Sequence, residues 1–289
     1  MELEARKLEE KEFHDKLRTV DADPHVADTR WSPEMEETIE TNPMWVNMKY
    51  YSIERTSREL VLDTFRRDCP GKEVLDYCCG NGEDSMFIAQ QGAKSVTGID
   101  ISDISVENCG NLAKRNGLSN THFQVADAEN TGFDDNSFDF ITEYGALHHL
   151  DLPKAYREMA RILRPDGKII CNEVLAHNPI IHGYRRLTPK LRTPWEVEHI
   201  LRRKDFNIAR EYFGKVELHF FHLSTLLAVP FRKTFLFSPM LSLMEALDSV
   251  VLKVPGLKWQ AWQVVFTMSE PKKELLQGQP TADAKRKAA

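Results

Sequence analysis

The chain has 289 residues, of which 42% are hydrophobic and 28% are charged, and its formal net charge is −6. These values are typical of a globular protein with one sizeable core, and the acidic balance gives no general reason to bind nucleic acid. The charged N-terminal segment lacks the apolar stretch of a signal peptide, and no uncharged run reaches membrane-spanning length. We therefore expect a cytoplasmic protein.

The predicted elements begin with a charge-dense segment at 1–20, which we expect to be helical or frayed with a solvated face. Residues 21–48 are expected to be ordered but irregular. The apolar spacing within 53–67 predicts a helix, which Cys69-Pro70-Gly71 ends.

From residue 73 onward, predicted strands and helices alternate, which indicates a parallel sheet covered by helices on both faces. The predicted strands are 73–79, 95–101, 122–127, 138–144, 167–174, 212–221 and 261–269. The predicted helices are 83–91, 103–116 and 152–163. Between the last two strands lies an apolar insertion at about 222–258, which must pack on the domain, line a hydrophobic cavity, or touch a membrane or partner.

The five cysteines form no recognisable framework. Cys78 and Cys79 are adjacent and lack the C-x-x-C spacing of metal and redox sites. We therefore expect small reduced residues of the core, and we predict no metal site.

The most specific motif is a buried strand, 74–77, that breaks into a turn with Gly80 and Gly82. Glycine lets the backbone of such a turn approach a ligand closely. A second strand follows about twenty residues later and ends in Asp100, which is where a ribose would present its hydroxyls in a strand–turn–helix–strand unit. The pattern predicts a cofactor that contains adenosine.

The turn also indicates which adenosine cofactor binds. It has only two glycines, and Glu83 and Asp84 follow at once, so a pyrophosphate would be repelled. No lysine with serine or threonine follows the glycines, as a phosphate-binding loop requires. S-adenosylmethionine, which has no phosphate but carries an amine and a sulfonium, suits Asp76 and the acidic turn better.

Residues 70–171 resemble the class I S-adenosylmethionine-dependent methyltransferase domain, in its ubiquinone/menaquinone-methyltransferase-like version. The family's segments occur in order: VLDYCCGNG at 74–82, GIDIS at 98–102, FQVADAEN at 123–130, FDDNSFDFITEYGALHHL at 133–150 and REMARILRPDGKII at 157–170. The resemblance implies an α/β, Rossmann-like, doubly wound sheet of seven strands, mostly parallel with the last strand antiparallel, plus an N-terminal helical cap. The family usually has glycine at the position of Cys78, so the loop there could sit slightly farther from the methionine moiety.

We divide the chain accordingly into four parts. These are an N-terminal arm with lid helices at 1–69, a cofactor-binding core at 70–180, an acceptor-binding part at 181–270 that includes the insertion, and a disordered tail at 271–289.

The resemblance also implies a set of cofactor-binding residues, carried over position by position. These are Asp76, Cys78, Gly80 and Gly82 for the methionine part, Asp100 for the ribose hydroxyls, Ile101, Asp127 and Ala128 for the adenine, Glu143 and Tyr144 beside the sulfonium, and Tyr51 from the N-terminal lid.

An acceptor that must lose a proton requires a general base within hydrogen-bond reach. The candidates share the carboxyl edge of the sheet, where open α/β sheets bind ligands. They are His148, His149, Glu143, Glu173 and His177. A purely structural role is the alternative for each histidine.

The segment after the fifth strand predicts an anion-binding site, because arginine forks match phosphate and carboxylate. Its candidate residues are His182, Tyr184, Arg185, Arg186, Lys190 and Arg192. The alternative is a solvated cationic loop with salt bridges to Glu196 and Glu198.

These features predict a methyltransferase for a small hydrophobic acceptor, with or without an anionic head, of the lipid, isoprenoid or natural-product type. One alternative is a C-methyltransferase of a prenyl diphosphate with a buried general base. Another is a scaffold that binds the cofactor without catalysis. Methylation of nucleic acid is disfavoured by the charge and by Glu143-Tyr144-Gly145-Ala146, which stands where such enzymes carry an N/D-P-P-Y/F tetrapeptide. Peripheral membrane contact through the insertion stays open, as does the oligomeric state.

Overall fold

The computed structural model describes residues 3–20, 33–41 and 43–276. Its centre is a seven-stranded sheet, counted over those residues, with the order β3-β2-β1-β4-β5-β7-β6. The strands are β1 Glu73–Tyr77, β2 Ser95–Asp100, β3 Thr121–Val125, β4 Phe138–Tyr144, β5 Leu163–Val174, β6 Phe213–Phe221 and β7 Gln263–Pro271.

Strands β1 to β5 pair in parallel, whereas β7, the last strand in sequence, lies antiparallel between β5 and β6. The predicted fold class is therefore confirmed. The order reverses between β1 and β4, and in open α/β sheets the crevice beyond the carboxyl ends at that point is where ligands bind. β5 begins at Leu163 rather than at the predicted 167, and a register shift between Phe138 and Phe140 accommodates the extra residues.

The connecting helices follow the strand–helix alternation expected from the sequence. In the described ranges they are α1 Ala5–Val20, α2 Pro33–Thr41, α3 Arg55–Asp68, α4 Glu83–Gln90, α5 Asp103–Arg115, α6 Leu152–Ile162, α7 Pro179–Leu187, α8 Pro194–His199, α9 Asp205–Tyr212 and α10 Phe237–Val251. Shorter 3-10 segments include Pro43–Ile53, Leu147–His149, Thr225–Phe231 and Leu257–Gln260.

Both faces of the sheet are covered, so its central strands are apolar on both sides. On one face α6 and α9 bury Tyr156 and Phe206 against the strands. On the other face α3 and α4 contribute Phe65 and Ile88. α6 shows why such a segment becomes a covering helix: its buried residues recur at helical spacing, and Asp151 caps its N-terminus by accepting from the Lys154 amide.

The apolar insertion packs on the N-terminal cap through only part of its surface. Leu226, Val229 and Leu241 form a cluster with Ile53 and Trp262. The outward side of the insertion exposes Leu227, Phe235, Leu236, Leu243, Leu247, Val250, Val254 and Leu257. Within the described ranges, none of the helices combines the length and the apolar character needed to cross a bilayer. Peripheral membrane contact stays a prediction.

The chain ends differ from expectation where they are described. The segment predicted to be solvated at 1–20 forms α1, in which Lys7 and Glu10 are buried. The predicted tail begins with ordered residues, since Lys273 donates to the carbonyls of Ala160 and Arg161 at 2.6 and 3.0 Å. Residues 1–2, 21–32, 42 and 277–289 lie outside the described residues, and the domain boundaries stay predictions.

Candidate cofactor and acceptor site

Two buried carboxylates hold the glycine turn at the carboxyl edge of the sheet. Asp76, the penultimate residue of β1, accepts from the Ser85 amide and hydroxyl at 3.1 and 2.6 Å, which ties β1 to the first turn of α4. Asp100 ends β2 and accepts from the amides of Gly80 and Ser102, both at 2.9 Å. Burial, with the charge of Asp84 adding to it, raises the pKa of Asp76 to about 7. Three carboxyl groups, of Asp76, Asp84 and Asp100, therefore lie close together at this edge.

The turn itself adopts left-handed backbone conformations. Gly82 has φ 81°, and a Cβ added there would lie 2.8 Å from Cys109 Sγ, so glycine is required on both grounds. Cys78 has φ 62°, although it carries a side chain. A left-handed conformation at Cys78 explains why the family usually has glycine at that position, because glycine adopts it without steric cost.

Helix α1, hereafter the lid helix, lies across the ends of β2 and β3. Lys7 Nζ is 2.7 Å from Asp127 Oδ2 and 2.9 Å from Glu129 Oε2. Asp15 accepts from the Ser102 hydroxyl beside Asp100. Asp127, which is predicted to lie beside the adenine, is therefore paired with a helix that was expected to have a solvated face. Ala128, next to Asp127, is buried.

Helix α3 closes the other side of the edge. The Tyr144 hydroxyl and the Gln263 amide donate to Glu54, the residue before α3, and Arg58 forms an ion pair with Asp84. The Tyr51 carbonyl accepts from the Glu54 amide at 3.1 Å, and the Tyr51 ring centroid is 6.5 Å from that of Tyr144. Burial raises the pKa of Glu54 to about 7.

Replacing Glu54 by glutamine should alter how stability depends on pH. The pKa of Glu54 in the folded chain, about 7, lies above its ordinary value of 4.5. The unfolded chain therefore loses this proton at a lower pH than the folded chain does, and the free energy of unfolding of the native chain falls as the pH rises. Between about pH 5 and about pH 8, the free energy of unfolding of Glu54→Gln should therefore rise by on the order of 2 kcal/mol relative to that of the native chain. Urea unfolding at both pH values measures the gain. Glu59→Gln, on the exposed face of α3, is the control, and parallel pH curves for Glu54→Gln and the native chain would contradict the prediction.

Three of the predicted bases meet at the ends of β4 and β5. His148 Nδ1 donates to Glu173 at 2.7 Å, and the Leu147 amide donates to both Glu173 and Glu143. Burial and the charge of Glu173 raise the pKa of Glu143 well above its usual range. Burial would also raise the pKa of Glu173, but the adjacent His148 outweighs it and lowers that pKa. Within the set, Glu143 therefore holds its proton more tightly than Glu173, which faces His148.

The other two predicted bases have different hydrogen-bond partners. His149 Nδ1 donates to Glu10 of the lid helix at 2.9 Å. His177 Nε2 accepts from the Arg203 amide at 3.2 Å, and burial lowers the pKa of His177. The ring centroids of His148 and His149 are 4.3 Å apart, so four of the five candidates lie together and His177 lies apart from them.

A cavity of about 390 Å³ lies beside α7 and α8. Its lining residues are Ala176, His177, His182, Arg185, Arg186, Val197, Ile200 and Arg202. It collects only half of the predicted anion-binding residues. Tyr184 donates to Asn47 at 3.0 Å, Arg192 pairs with Glu196 at 3.3 Å, and Lys190 is exposed. Of the six predicted residues, His182, Arg185 and Arg186 therefore line the cavity, and anion binding by the set stays a prediction.

Arg185 is the most constrained cation of this cavity. It is buried, and its guanidinium donates to the Leu175 carbonyl at 3.1 Å. Among the described residues, no carboxylate lies within ion-pair distance of it. Burial, with the nearby charge of Arg192, lowers the pKa of Arg185 to about 10, and the charges of Glu196 and Glu173, beyond ion-pair distance, only partly oppose that shift. A buried guanidinium without a carboxylate partner is costly unless an anion binds it.

Sequence reasoning missed Glu10, Glu54 and Arg58. The sequence offered one indication, which is helical spacing: Glu54 and Arg58 are four residues apart, as are Glu10 and His14. That spacing is equally typical of a solvated helix, so only the contacts distinguish the two cases.

Comparison with known proteins gives three findings. A family model described as a methyltransferase domain matches residues 74–167. An uncharacterized methyltransferase of Bacillus subtilis is 32% identical over 126 residues, which cover 43% of this chain and 49% of that protein. A demethylmenaquinone methyltransferase of Staphylococcus epidermidis is 37% identical over 106 residues, which cover 36% of this chain and 43% of that protein.

The fold extends beyond that domain. A geranyl diphosphate C-methyltransferase of Streptomyces coelicolor, solved with Mg²⁺, geranyl diphosphate and S-adenosyl-L-homocysteine, superposes with a TM-score of 0.60. The superposition covers 93% of this chain and all of that one, at 12% identity, so it shows the fold alone. The chain spans about half, or less, of the length of the curated relatives it matches. Residues 74–167 therefore match a methyltransferase domain, in the part of the chain where the motifs predicted one.

Proposed function

We propose that the protein is an S-adenosylmethionine-dependent methyltransferase whose small acceptor combines a hydrophobic body with an anionic head. The observation that carries the acceptor class is Arg185, a buried guanidinium without a carboxylate partner among the described residues, in a cavity that also holds His177, His182, Arg186 and Arg202. Such a site suits a phosphate or carboxylate group.

The acidic edge fits the cofactor. Asn81 Oδ1 and Asp84 Oδ2 are buried without a hydrogen-bond partner beside the glycine turn, so they are ready to accept from the cofactor's ammonium group. Asp76, Gly80 and Gly82 would hold the methionine part. Asp100 would hold the ribose hydroxyls, because each of its oxygens keeps acceptor capacity beyond its amide bond. Ile101, Asp127 and Ala128 would enclose the adenine under the lid helix.

When bound, the cofactor supplies an activated methyl group for in-line displacement. What the chain must do is align the acceptor and exclude water. The lid helix and α3 close the two sides of the edge. Tyr51 and Trp262, packed with the insertion, provide an apolar wall near Arg185, whose charge acts on the Tyr51 hydroxyl. An acceptor with its head on Arg185 would lay its apolar body along that wall.

A second candidate is a C-methyltransferase of a prenyl diphosphate. The buried set of Glu143, Glu173 and His148 favours it, because an ionised Glu173 shielded from water can take a proton from a methylated carbon skeleton. Geranyl diphosphate, the ligand of the structural neighbour, has the expected anionic head and apolar body.

The test is transfer of a labelled methyl group to pairs of acceptors that differ only in the head. We expect product from geranyl diphosphate or a long-chain carboxylic acid, and none from the corresponding alcohols. Mass spectrometry of the product locates the methyl group and separates transfer to carbon from transfer to oxygen. Equal transfer to the alcohols would contradict the proposal that the acceptor needs an anionic head. Cofactor binding without transfer to any acceptor would favour the scaffold alternative, and a protein that fails to bind S-adenosylmethionine would overturn the proposal.

A further inference from the structure

The lid helix brings three potential metal ligands together where it meets the loop after β4. Glu10, His14 and His149 each place one ligand atom within 4.8 Å of the other two. Glu10 Oε2 lies 2.9 Å from His149 Nδ1 and 3.8 Å from His14 Nε2. Ligand atoms around one tetrahedral zinc ion are roughly 3.3 Å apart. Small side-chain rotations would therefore let all three bind one ion.

The chemistry of the set selects the kind of ion. Two imidazoles and one carboxylate suit Zn²⁺ and other divalent transition ions, whereas Mg²⁺ and Ca²⁺ prefer oxygen ligands. Glu10 and His14, four residues apart on one helix, present their side chains to the same face. We propose that Glu10, His14 and His149 bind one divalent transition ion, of the Zn²⁺ type, that fastens the lid helix to the loop after β4.

The surroundings support such a site. The other carboxylate oxygen of Glu10 accepts from the Thr193 hydroxyl, which orients the carboxylate in the way that metal ligands are oriented. Arg6, the nearby cation, is paired with Glu129, and it donates to the His149 carbonyl at 2.7 Å. Its charge is therefore compensated, and it holds the His149 backbone in place. Glu10 is buried and both histidines are half-buried, so water competes weakly for the ion.

The site links two segments that are far apart in sequence. Without the ion, the Glu10 carboxylate and the Arg6 guanidinium bond to His149, and the His14 ring lies 5.0 Å from the His149 ring, centroid to centroid. The ion would join both rings and the carboxylate through shared metal–ligand bonds. Because metal binding is measurable with neither cofactor nor acceptor present, the test is independent of the proposed methyl transfer.

The experiment is calorimetric titration of metal-free full-length protein with Zn²⁺, and with Co²⁺ followed by its visible absorption. We expect one ion per chain and a Zn²⁺-dependent rise in Tm. His14→Ala and His149→Ala should each weaken binding by at least about a hundredfold and abolish that rise. His219→Ala, which removes an exposed histidine on β6, should bind as the native chain does.

Two outcomes would overturn the proposal: no stoichiometric ion in the native chain, or unchanged binding in His14→Ala. A thiolate absorption band in the Co²⁺ form would instead assign the ion to Cys79 and Cys109, whose sulfur atoms are 3.9 Å apart, and would equally overturn it. Circular dichroism reports whether each variant folds. If His149→Ala does not fold, His14→Ala decides, since that ring lies on the half-buried face of the lid helix.

Discussion

Asp100→Ala is expected to lose at least about a hundredfold in affinity for S-adenosylmethionine, because hydrogen bonds to a charged group contribute about 1.5–3 kcal/mol each and a ribose offers two. The amides of Gly80 and Ser102 already hold the carboxylate in place, so ordering it costs little free energy when the ligand binds. Calorimetric titration with S-adenosylmethionine and with S-adenosylhomocysteine measures the loss, and both ligands should be affected alike, since they share the ribose.

Two further variants separate ligand binding from damage to the turn. Asp100→Asn keeps an acceptor for one amide and should fall between the native chain and Asp100→Ala. Asp166→Asn, at an exposed position near the start of β5, should bind like the native chain. If Asp100→Ala binds the cofactor with native affinity while remaining folded, the assignment of the ribose to β2 is wrong.

Arg185→Met should have effects of opposite sign on stability and on anion binding. Methionine fills a similar volume without a buried charge, so the free energy of unfolding should rise by about 1–3 kcal/mol. Affinity for inorganic diphosphate should fall by at least about tenfold, since charge-assisted hydrogen bonds from the buried guanidinium are lost. Urea unfolding gives the first quantity and calorimetry with diphosphate gives the second.

The chain offers matched controls for Arg185. Arg186→Met removes an exposed cation of the same cavity, so it should leave stability unchanged and weaken diphosphate binding less. Lys190→Met, outside the cavity, should change neither. A clear loss of stability in Arg185→Met, with diphosphate affinity retained, would mean that Arg185 is a structural strut through its bond to the Leu175 carbonyl.

The cofactor edge was predictable because its signals are local. A buried apolar run that ends in Asp76, glycines with left-handed backbone and a second strand that ends in Asp100 lie within thirty residues. Parallel strands joined by single helices leave few alternatives for the sheet, since crossover connections are right-handed and short. The antiparallel last strand was expected from the family resemblance, and β7 confirms it.

The sequence by itself determined the strand–helix order, the glycine turn and the kind of cofactor, because backbone conformation and hydrophobic periodicity act over neighbouring residues. Only the tertiary structure decided the lid and the acceptor side. It placed Lys7 on Asp127, joined Glu10 to His149, kept Arg185 in the cavity and left Lys190 outside it. The sequence of a solvated helix and that of a packed helix can show the same charged side chains at helical spacing. The two cases are distinguished only in the tertiary structure, where a residue more than a hundred positions away along the chain supplies the opposite charge.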